Sequence, residues 1–319
     1  MSEASLVADI GGTHARFALI QNDGEITQTQ ILKGADFLSL DAAYTYYRAQ
    51  LPHDIRVTRA ALAVAGPVTG DLVRITNQRW DFSQSEIKKA WNLQELYVIN
   101  DFAAIALALP HLSNNEKIIL QNGVADTTAP LAVLGPGTGL GVAGMIPNGA
   151  GNGLPLSGEG GHVTLAATNE LEADLLAILH NEFGYVSAER ILSGQGLVNL
   201  YRALAQHRGE TAVHSDPAAL ATAAMTDKDP LALAALEQFY LFLGTVAGDV
   251  ALTLGARGGV YLAGGILPRL AEPLAASGFA RRFSDKAVVK SYLEAIPVWL
   301  ITYPIPAFIG LRFLLQARD

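Results

Sequence analysis

The residues best placed to do chemistry begin close to the start of the chain, at Ala8-Asp9-Ile10-Gly11-Gly12-Thr13. Consecutive glycines let backbone amides approach phosphate oxygens with no Cβ in the way, and the Thr13 hydroxyl adds a donor. Asp9 ends the apolar run Leu6-Val7-Ala8. A carboxylate at the end of a buried strand needs a partner, and Mg2+ or its waters would supply one. Taken alone, the Gly-Gly-Thr loop reads equally well as an ordinary tight turn. A second loop of similar type lies at Gly135-Pro136-Gly137-Thr138-Gly139-Leu140-Gly141, and a glycine pair, Gly264-Gly265, follows another apolar run. Neither loop continues into Gly-Lys-Ser/Thr or opens a helix as a dinucleotide fingerprint does, so phosphate must be held in another way.

The elements that position these loops follow from hydrophobic spacing. Residues 5–20 read as strand, glycine turn and strand, and Ile26 to Lys33 returns as a third strand after the turn Asn22-Asp23-Gly24. Helical spacing runs from Ser39 to Leu51, and a buried strand from Ala60 to Ala65 ends at Gly66-Pro67. Ser83 with Glu86 three residues on makes a capping box for the next helix, and a strand from Leu96 to Ile99 delivers Asn100 and Asp101 to its end. Ser113 to Pro130 is a weakly patterned connector. The strand Leu131 to Leu134 runs into the second Gly-Thr loop, with Val142-Ala143 beyond it. The remainder is mostly helical, including a buried helix from Pro230 to Leu254, until the strand ending at Gly264-Gly265. A strand from Val298 to Thr302 and a helix from Ile305 close the chain. Repetition of strand, Gly-Thr loop and strand points to a duplicated architecture. Two such hairpins and a distant glycine pair can clamp a nucleotide between two domains, with the hairpins on the phosphates and Gly264-Gly265 beside the base or ribose.

Composition narrows the partners. Half of the 319 residues are hydrophobic and 16% are charged, enough to bury a large core and to make two domains. Acidic residues outnumber basic ones by 30 to 22, with no block of Lys or Arg, so no nucleic-acid footprint is visible. Without cysteine, neither a disulfide framework nor a thiolate zinc site can form. The N-terminus lacks a basic signal-peptide region. Of two uncharged runs, residues 127–158 are rich in Gly, Pro and Asn, and residues 295–311 hold Pro297, Pro304 and Pro306; neither reads as a membrane span. The expectation is a cytoplasmic protein with no membrane or nucleic-acid partner.

At these residues the chain resembles the bacterial glucokinase family, within the superfamily of sugar kinases, Hsp70 chaperones and actin. The matching segments are Ala8 to Thr13, Ile99-Asn100-Asp101-Phe102, Gly135 to Gly141, Gly158-Glu159-Gly160-Gly161-His162, Ser187 to Gly194, and Gly258 to Ile266. They span nearly the whole chain in the family's order. The resemblance implies an α/β fold of duplicated ribonuclease H-like (actin-like ATPase) domains with the active site in the cleft between them. The smaller domain would cover residues 1–110 completed by 303–319, and the larger one residues 111–302. It also implies transfer of the γ-phosphate of ATP to the 6-hydroxyl of glucose, with ATP and Mg2+ required, and a homodimer formed through the larger domain.

The resemblance places the ATP phosphates on Ala8, Asp9, Ile10, Gly11, Gly12 and Thr13 and on Gly137, Thr138 and Gly139, with Gly264 and Gly265 beside the nucleoside and Mg2+ reached from Asp9 through water. It places the sugar at Asn100 and Asp101, with Asp101 as the base that takes the proton of the acceptor hydroxyl. The alternative for Asn100-Asp101 is a cap on a helix beginning at Phe102. Glu159, His162 and Glu189 could converge on one polyol, since sugars need buried polar contacts whose loss rejects an analogue. A metal reading of His162 with the two glutamates is set aside because the zinc-bearing relatives use a cysteine cluster. Asn77 resembles a residue near the sugar, and reads equally as a turn residue. Arg190 reads as structural.

Three other functions share parts of this pattern. A kinase for mannose, fructose or an N-acetylated amino sugar would use the same catalytic parts. A sugar-responsive repressor needs a helix-turn-helix before the first hairpin, and a hairpin starting at Asp9 is expected to leave no room for it. An actin-like or Hsp70-like ATPase would not need Glu159, His162 and Glu189.

Overall fold

Alternation along the first strand sets the architecture. In β1 (Ser2–Ile10), Leu6, Ala8 and Ile10 face one way and Val7 the other, and all four are fully buried. A strand buried on both faces requires helices on both sides of its sheet. On one face Tyr44 and Tyr47 of the helix Leu40–Ala49 pack over Leu6, Ile10 and Phe17. On the other, Ala104 of the helix Asp101–Ala108 and Phe308 and Leu311 of the helix Pro306–Gln316 cover Val7, Ala61 and Ala63. Those two helices cross closely because position 310 is glycine; a Cβ there would run into the Ala104 carbonyl.

The structure is a computed structural model describing residues 2–75, 80–149 and 153–316. It is mixed α/β, and the chain divides into two compact units. One comprises Met1–Ser113, Met145–Ser157 and Tyr303–Asp319, the other Asn114–Gly144 and Gly158–Thr302.

The first sheet holds β1, β2 (His14–Ile20), β3 (Ile26–Lys33), β4 (Ile55–Val64) and, after a small two-stranded ribbon of β5 (Leu72–Arg74) and β6 (Asp81–Ser83), β7 (Glu95–Asn100). Its order is β3-β2-β1-β4-β7, with β1 antiparallel to β2 and parallel to β4, and β4 parallel to β7. The second sheet holds β8 (Lys117–Gln121), β9 (Leu131–Pro136), β10 (Leu140–Pro147), β11 (Gly153–Gly158), β12 (Gly259–Leu262) and β13 (Val298–Ile301), in the order β11-β10-β9-β12-β13-β8. Setting aside β8 at its edge, the second sheet repeats the first: third, second, first, fourth and fifth strand in chain order.

Strand β8 lies inside the connector that the sequence pattern leaves without an element. It pairs antiparallel with β13 at the edge of the sheet, and Ile118 and Ile119 stay 41% and 45% exposed. With no buried face, an edge strand carries no clear alternation to read.

The helix Pro230–Leu254 begins where the Asp229 carboxylate accepts the Ala232 N–H at 2.7 Å and ends at Gly255 in the left-handed region. Among the described residues it alone is long and apolar enough to cross a membrane, with a mean hydropathy of 1.5 over its most apolar stretch. That stretch is 78% buried within the protein, packed in the core with Leu200, Leu204 and Phe283, so its apolar surface is covered by the chain itself.

Candidate active site

Strand register gathers the first group of residues. Ile10 pairs with Val64, and Val64 with Asn100, so the three parallel strands end at one level. With strands about 4.8 Å apart, Ile10 and Asn100 stand about 10 Å apart along that edge. The Gly11–Thr13 loop, the Gly66-Pro67 turn and the Asn100-Asp101 pair all leave from it. The Ala65 N–H donates to the Ile10 carbonyl at 3.0 Å, and Asn100 Nδ2 donates to the Gly66 carbonyl at 3.3 Å. The carboxyl ends of parallel strands are where open α/β sheets bind ligands.

Within the first loop, the Gly11 N–H donates to the His14 carbonyl at 3.0 Å, and the Gly34 N–H to the Thr13 carbonyl at 2.9 Å. The Gly11 amide therefore closes the turn, while Thr13 lies exposed at its tip. Asp9 faces Arg16 across the β1–β2 ladder, and Arg16 Nη1 donates to Asp9 Oδ2 at 2.8 Å. Burial pushes the Asp9 carboxyl above its ordinary range, and the Arg16 charge offsets part of that rise. The partner that a buried carboxylate needs is thus present in the chain. Sequence reasoning passed over Arg16; its signal was a cation at the position facing Asp9 once the hairpin register is counted. Among the described residues no three His, Asp or Glu side chains cluster to hold a metal. Mg2+ keeps most of its waters and takes one or two carboxylates alongside phosphate oxygens, so the single carboxylate of Asp9 matches that donor set.

The helix after β7 begins one residue earlier than expected. Asn100 is its cap, with Oδ1 accepting the Ala103 N–H at 3.1 Å, and Asp101 is its first residue. Asp101 Oδ1 accepts from the Phe102 N–H at 2.9 Å and from Asn100 Nδ2 at 3.0 Å. Capping therefore falls to Asn100, and the Asp101 carboxylate is oriented by its two neighbours at the positive end of a helix.

The second group assembles at the ends of β9 and β12, which pair in parallel with Leu134 opposite Leu262. The Ala263 N–H donates to the Leu134 carbonyl at 2.9 Å. Gly264, at φ +91°, has no room for a Cβ, which would run into the Pro136 carbonyl. The Gly135–Gly139 loop and Gly264 therefore meet backbone to backbone, as only glycine allows. A 2.7 Å bond from the Gly137 N–H to the Gly139 carbonyl closes the turn, leaving Thr138 exposed. The Gly194 N–H, at the start of the helix Gly194–Arg208, donates to the Gly137 carbonyl at 2.9 Å. Gly265 is exposed, with open space where a Cβ would stand.

Glu159, His162 and Glu189 lie on adjoining segments of this same unit. His162 closes a single 3-10 turn, Gly160–His162, with its Nε2 4.0 Å from Glu159 Oε2 and both side chains 60% exposed. A Cβ on Gly161 would strike the Leu140 carbonyl, so the turn lies directly against β10. Glu189 sits in the short helix Ala188–Ile191, and the Ala188 N–H donates to the Val163 carbonyl at 2.9 Å. Its Oε2 accepts the Leu140 N–H at 2.8 Å, which places the carboxylate against the Thr138-Gly139 turn. Tyr185, unmarked in the sequence, donates its hydroxyl to the His162 carbonyl at 2.7 Å. Arg190 lies with its guanidinium 4.4 Å from the centre of the Phe183 ring, a packing contact. Asn77 lies outside the described residues.

Comparison with known proteins covers nearly the whole chain. A family model described as Glucokinase matches residues 6–318. The chain is 48% identical to a glucokinase of Paramagnetospirillum magneticum, with 98% of each chain covered. The crystal structure of a glucokinase from an Antarctic psychrotroph superposes with a TM-score of 0.88 at 43% identity, covering 98% of this chain and 99% of that one. A ROK family glucokinase from Streptomyces griseus, solved with glucose and AMPPNP, shares the fold at a TM-score of 0.67 and 16% identity, with 98% of each chain covered.

Proposed function

The chain belongs to the glucokinase family, and from that premise we propose that it transfers the γ-phosphate of ATP to the 6-hydroxyl of D-glucose, giving glucose 6-phosphate and ADP. The observation that carries this reading is the common edge on which β1, β4 and β7 end, because it sets a Gly-Gly-Thr loop beside an oriented carboxylate. The two sheets of like strand order are the two halves of a duplicated ribonuclease H-like fold.

In this reading Asp101 accepts the proton of the attacking hydroxyl as the O–P bond forms, and its fixed Oδ1 leaves the carboxylate orientation little freedom to lose. Asn100, Glu159, His162, Glu189 and Asn77 hold the sugar hydroxyls. Thr13, Thr138 and the loop backbone from Ala8 to Gly12 and from Gly137 to Gly139 hold the phosphates, and Gly264 and Gly265 lie along the nucleoside. Asp9 would hold Mg2+ through water, and the ion would neutralise phosphate charge. Exclusion of water from the assembled site limits hydrolysis of ATP. The enzyme works in the cytoplasm as a homodimer, which light scattering coupled to gel filtration checks.

The test is ADP formation followed with a panel of hexoses and phosphoryl donors. ATP with glucose should give the highest kcat/KM. ADP formation that proceeds equally without sugar would overturn the reading, and a higher kcat/KM for mannose, fructose or an N-acetylated amino sugar would reassign the acceptor.

A further inference from the structure

Glu189 touches more than the sugar-side cluster. Its Oε2 accepts the Leu140 N–H at 2.8 Å, and a Cβ on Gly139 would collide with that same oxygen. The carboxylate therefore fills the space that the glycine leaves open. No described residue donates to Oε1, and the side chain is only half-buried. The main chain around Glu189 is bonded on both sides. The Ala188 N–H reaches Val163, next to His162, and the Gly194 N–H reaches the Gly137 carbonyl at the root of the Thr138 turn. Between them the Ser193 hydroxyl donates to the Glu189 carbonyl at 3.0 Å and accepts the Gly196 N–H, also at 3.0 Å. Ser187 to Gly196 thus forms one hydrogen-bonded bracket between the Glu159–His162 turn and the Gly137–Gly139 turn.

We propose that Glu189 is a positioning residue that couples acceptor binding to the donor loop: Oε2 sets the Gly139-Leu140 backbone while Oε1 accepts a sugar hydroxyl. This rests on the sugar and phosphate assignments of the preceding section. One rigid carboxylate group serves both contacts, so a sugar hydroxyl on Oε1 fixes the plane of the carboxylate and with it the Leu140 amide. A nucleotide that orders the turn in return orients Oε1 for the sugar. Such coupling is reciprocal between the two ligands.

The test measures glucose binding to the full chain by titration calorimetry, with and without AMPPNP. Gly139→Ala places its methyl group on the donor turn against Glu189 Oε2, and it should weaken glucose binding in the absence of nucleotide by about 10- to 100-fold, the range for losing a hydrogen bond to a charged group. Glu189→Ala should weaken it at least as much. An unchanged glucose Kd in Gly139→Ala, with a raised Kd in Glu189→Ala, overturns the coupling and leaves the sugar assignment standing. An unchanged Kd in Glu189→Ala overturns the sugar assignment itself. Should Gly139→Ala fail to fold by circular dichroism, the ratio of glucose Kd without and with AMPPNP decides. It should depart from one in the natural protein and approach one in Glu189→Gln, which keeps an acceptor but not the charge. A ratio of one in the natural protein, or the same ratio in both proteins, overturns the proposal.

Discussion

Arg16 stands opposite Asp9 in the β1–β2 ladder, and its guanidinium donates to the Asp9 carboxylate at 2.8 Å. The pair makes the first glycine loop an electrostatic unit as well as a turn. Arg16→Met would leave the buried carboxylate without its cation, at a cost of about 1–3 kcal/mol in folding free energy. Burial already raises the Asp9 carboxyl, so the folded state holds that proton more tightly than the unfolded chain. The stability contributed by this group is therefore full below the unfolded value of about 3.9 and falls as pH rises through the raised one. Urea titrations from pH 4 to 8 should show a steeper decline in Arg16→Met than in the natural protein; parallel curves would refute this.

Asp101→Asn keeps an oxygen that can accept the Phe102 N–H and removes the proton acceptor. Its kcat should fall by roughly 10² to 10⁴, as for loss of a general base, while the glucose Kd stays near that of the natural protein. A kcat within a few-fold of normal would exclude Asp101 as the base.

Glu172 anchors the core of the second unit. It is fully buried, with Oε1 accepting from Arg282 Nη1 at 2.6 Å and Gln238 Nε2 at 2.9 Å, and Oε2 from the Thr168 N–H and hydroxyl at 2.8 Å each. Burial works to raise its carboxyl, but the bonds from Thr168 and Arg282 outweigh it and hold the group below its ordinary value. Stability from this group is present above the unfolded value of about 4.3 and is lost as pH falls through the depressed one. Glu172→Gln should cost about 3–5 kcal/mol at neutral pH by leaving Arg282 unpaired, and should flatten the acid limb of a thermal-melting profile. An acid limb as steep as in the natural protein would contradict the pairing.

Gly264 and Gly265 should respond differently to alanine. At Gly264 a side chain must adopt φ +91° and meet the Pro136 carbonyl, so Gly264→Ala should lose about 1–3 kcal/mol and raise the KM for ATP. Gly265→Ala enters open space and should leave the melting temperature nearly unchanged. Equal melting temperatures for the two variants would remove the packing argument for Gly264.

Much of this was legible along the chain because local rules governed it. Ser83 caps its helix as its spacing with Glu86 implies, accepting the Glu86 amide. The helix Pro230–Leu254 coincides with its apolar run, since helix boundaries set by Asp229 and Gly255 are local. Strand β8 was hidden, because an edge strand carries little burial pattern. The cap at Asn100 was misplaced by one residue, because Asn and Asp at consecutive positions can both accept the free amides of a helix start.

The glycine loops, the Asn100-Asp101 pair and the glutamates of the Gly158–Gly194 region were readable as residue types, and their order along the chain was enough to point to a family. What the order could not state was which atoms meet. Hairpin register gave Asp9 to Arg16, parallel register brought Ile10, Val64 and Asn100 to one level, and packing against β10 set Glu189 on the Leu140 amide. Residue type is a property of the linear chain, whereas these pairings depend on the register between distant strands, and a shift of one residue would turn each side chain to the opposite face.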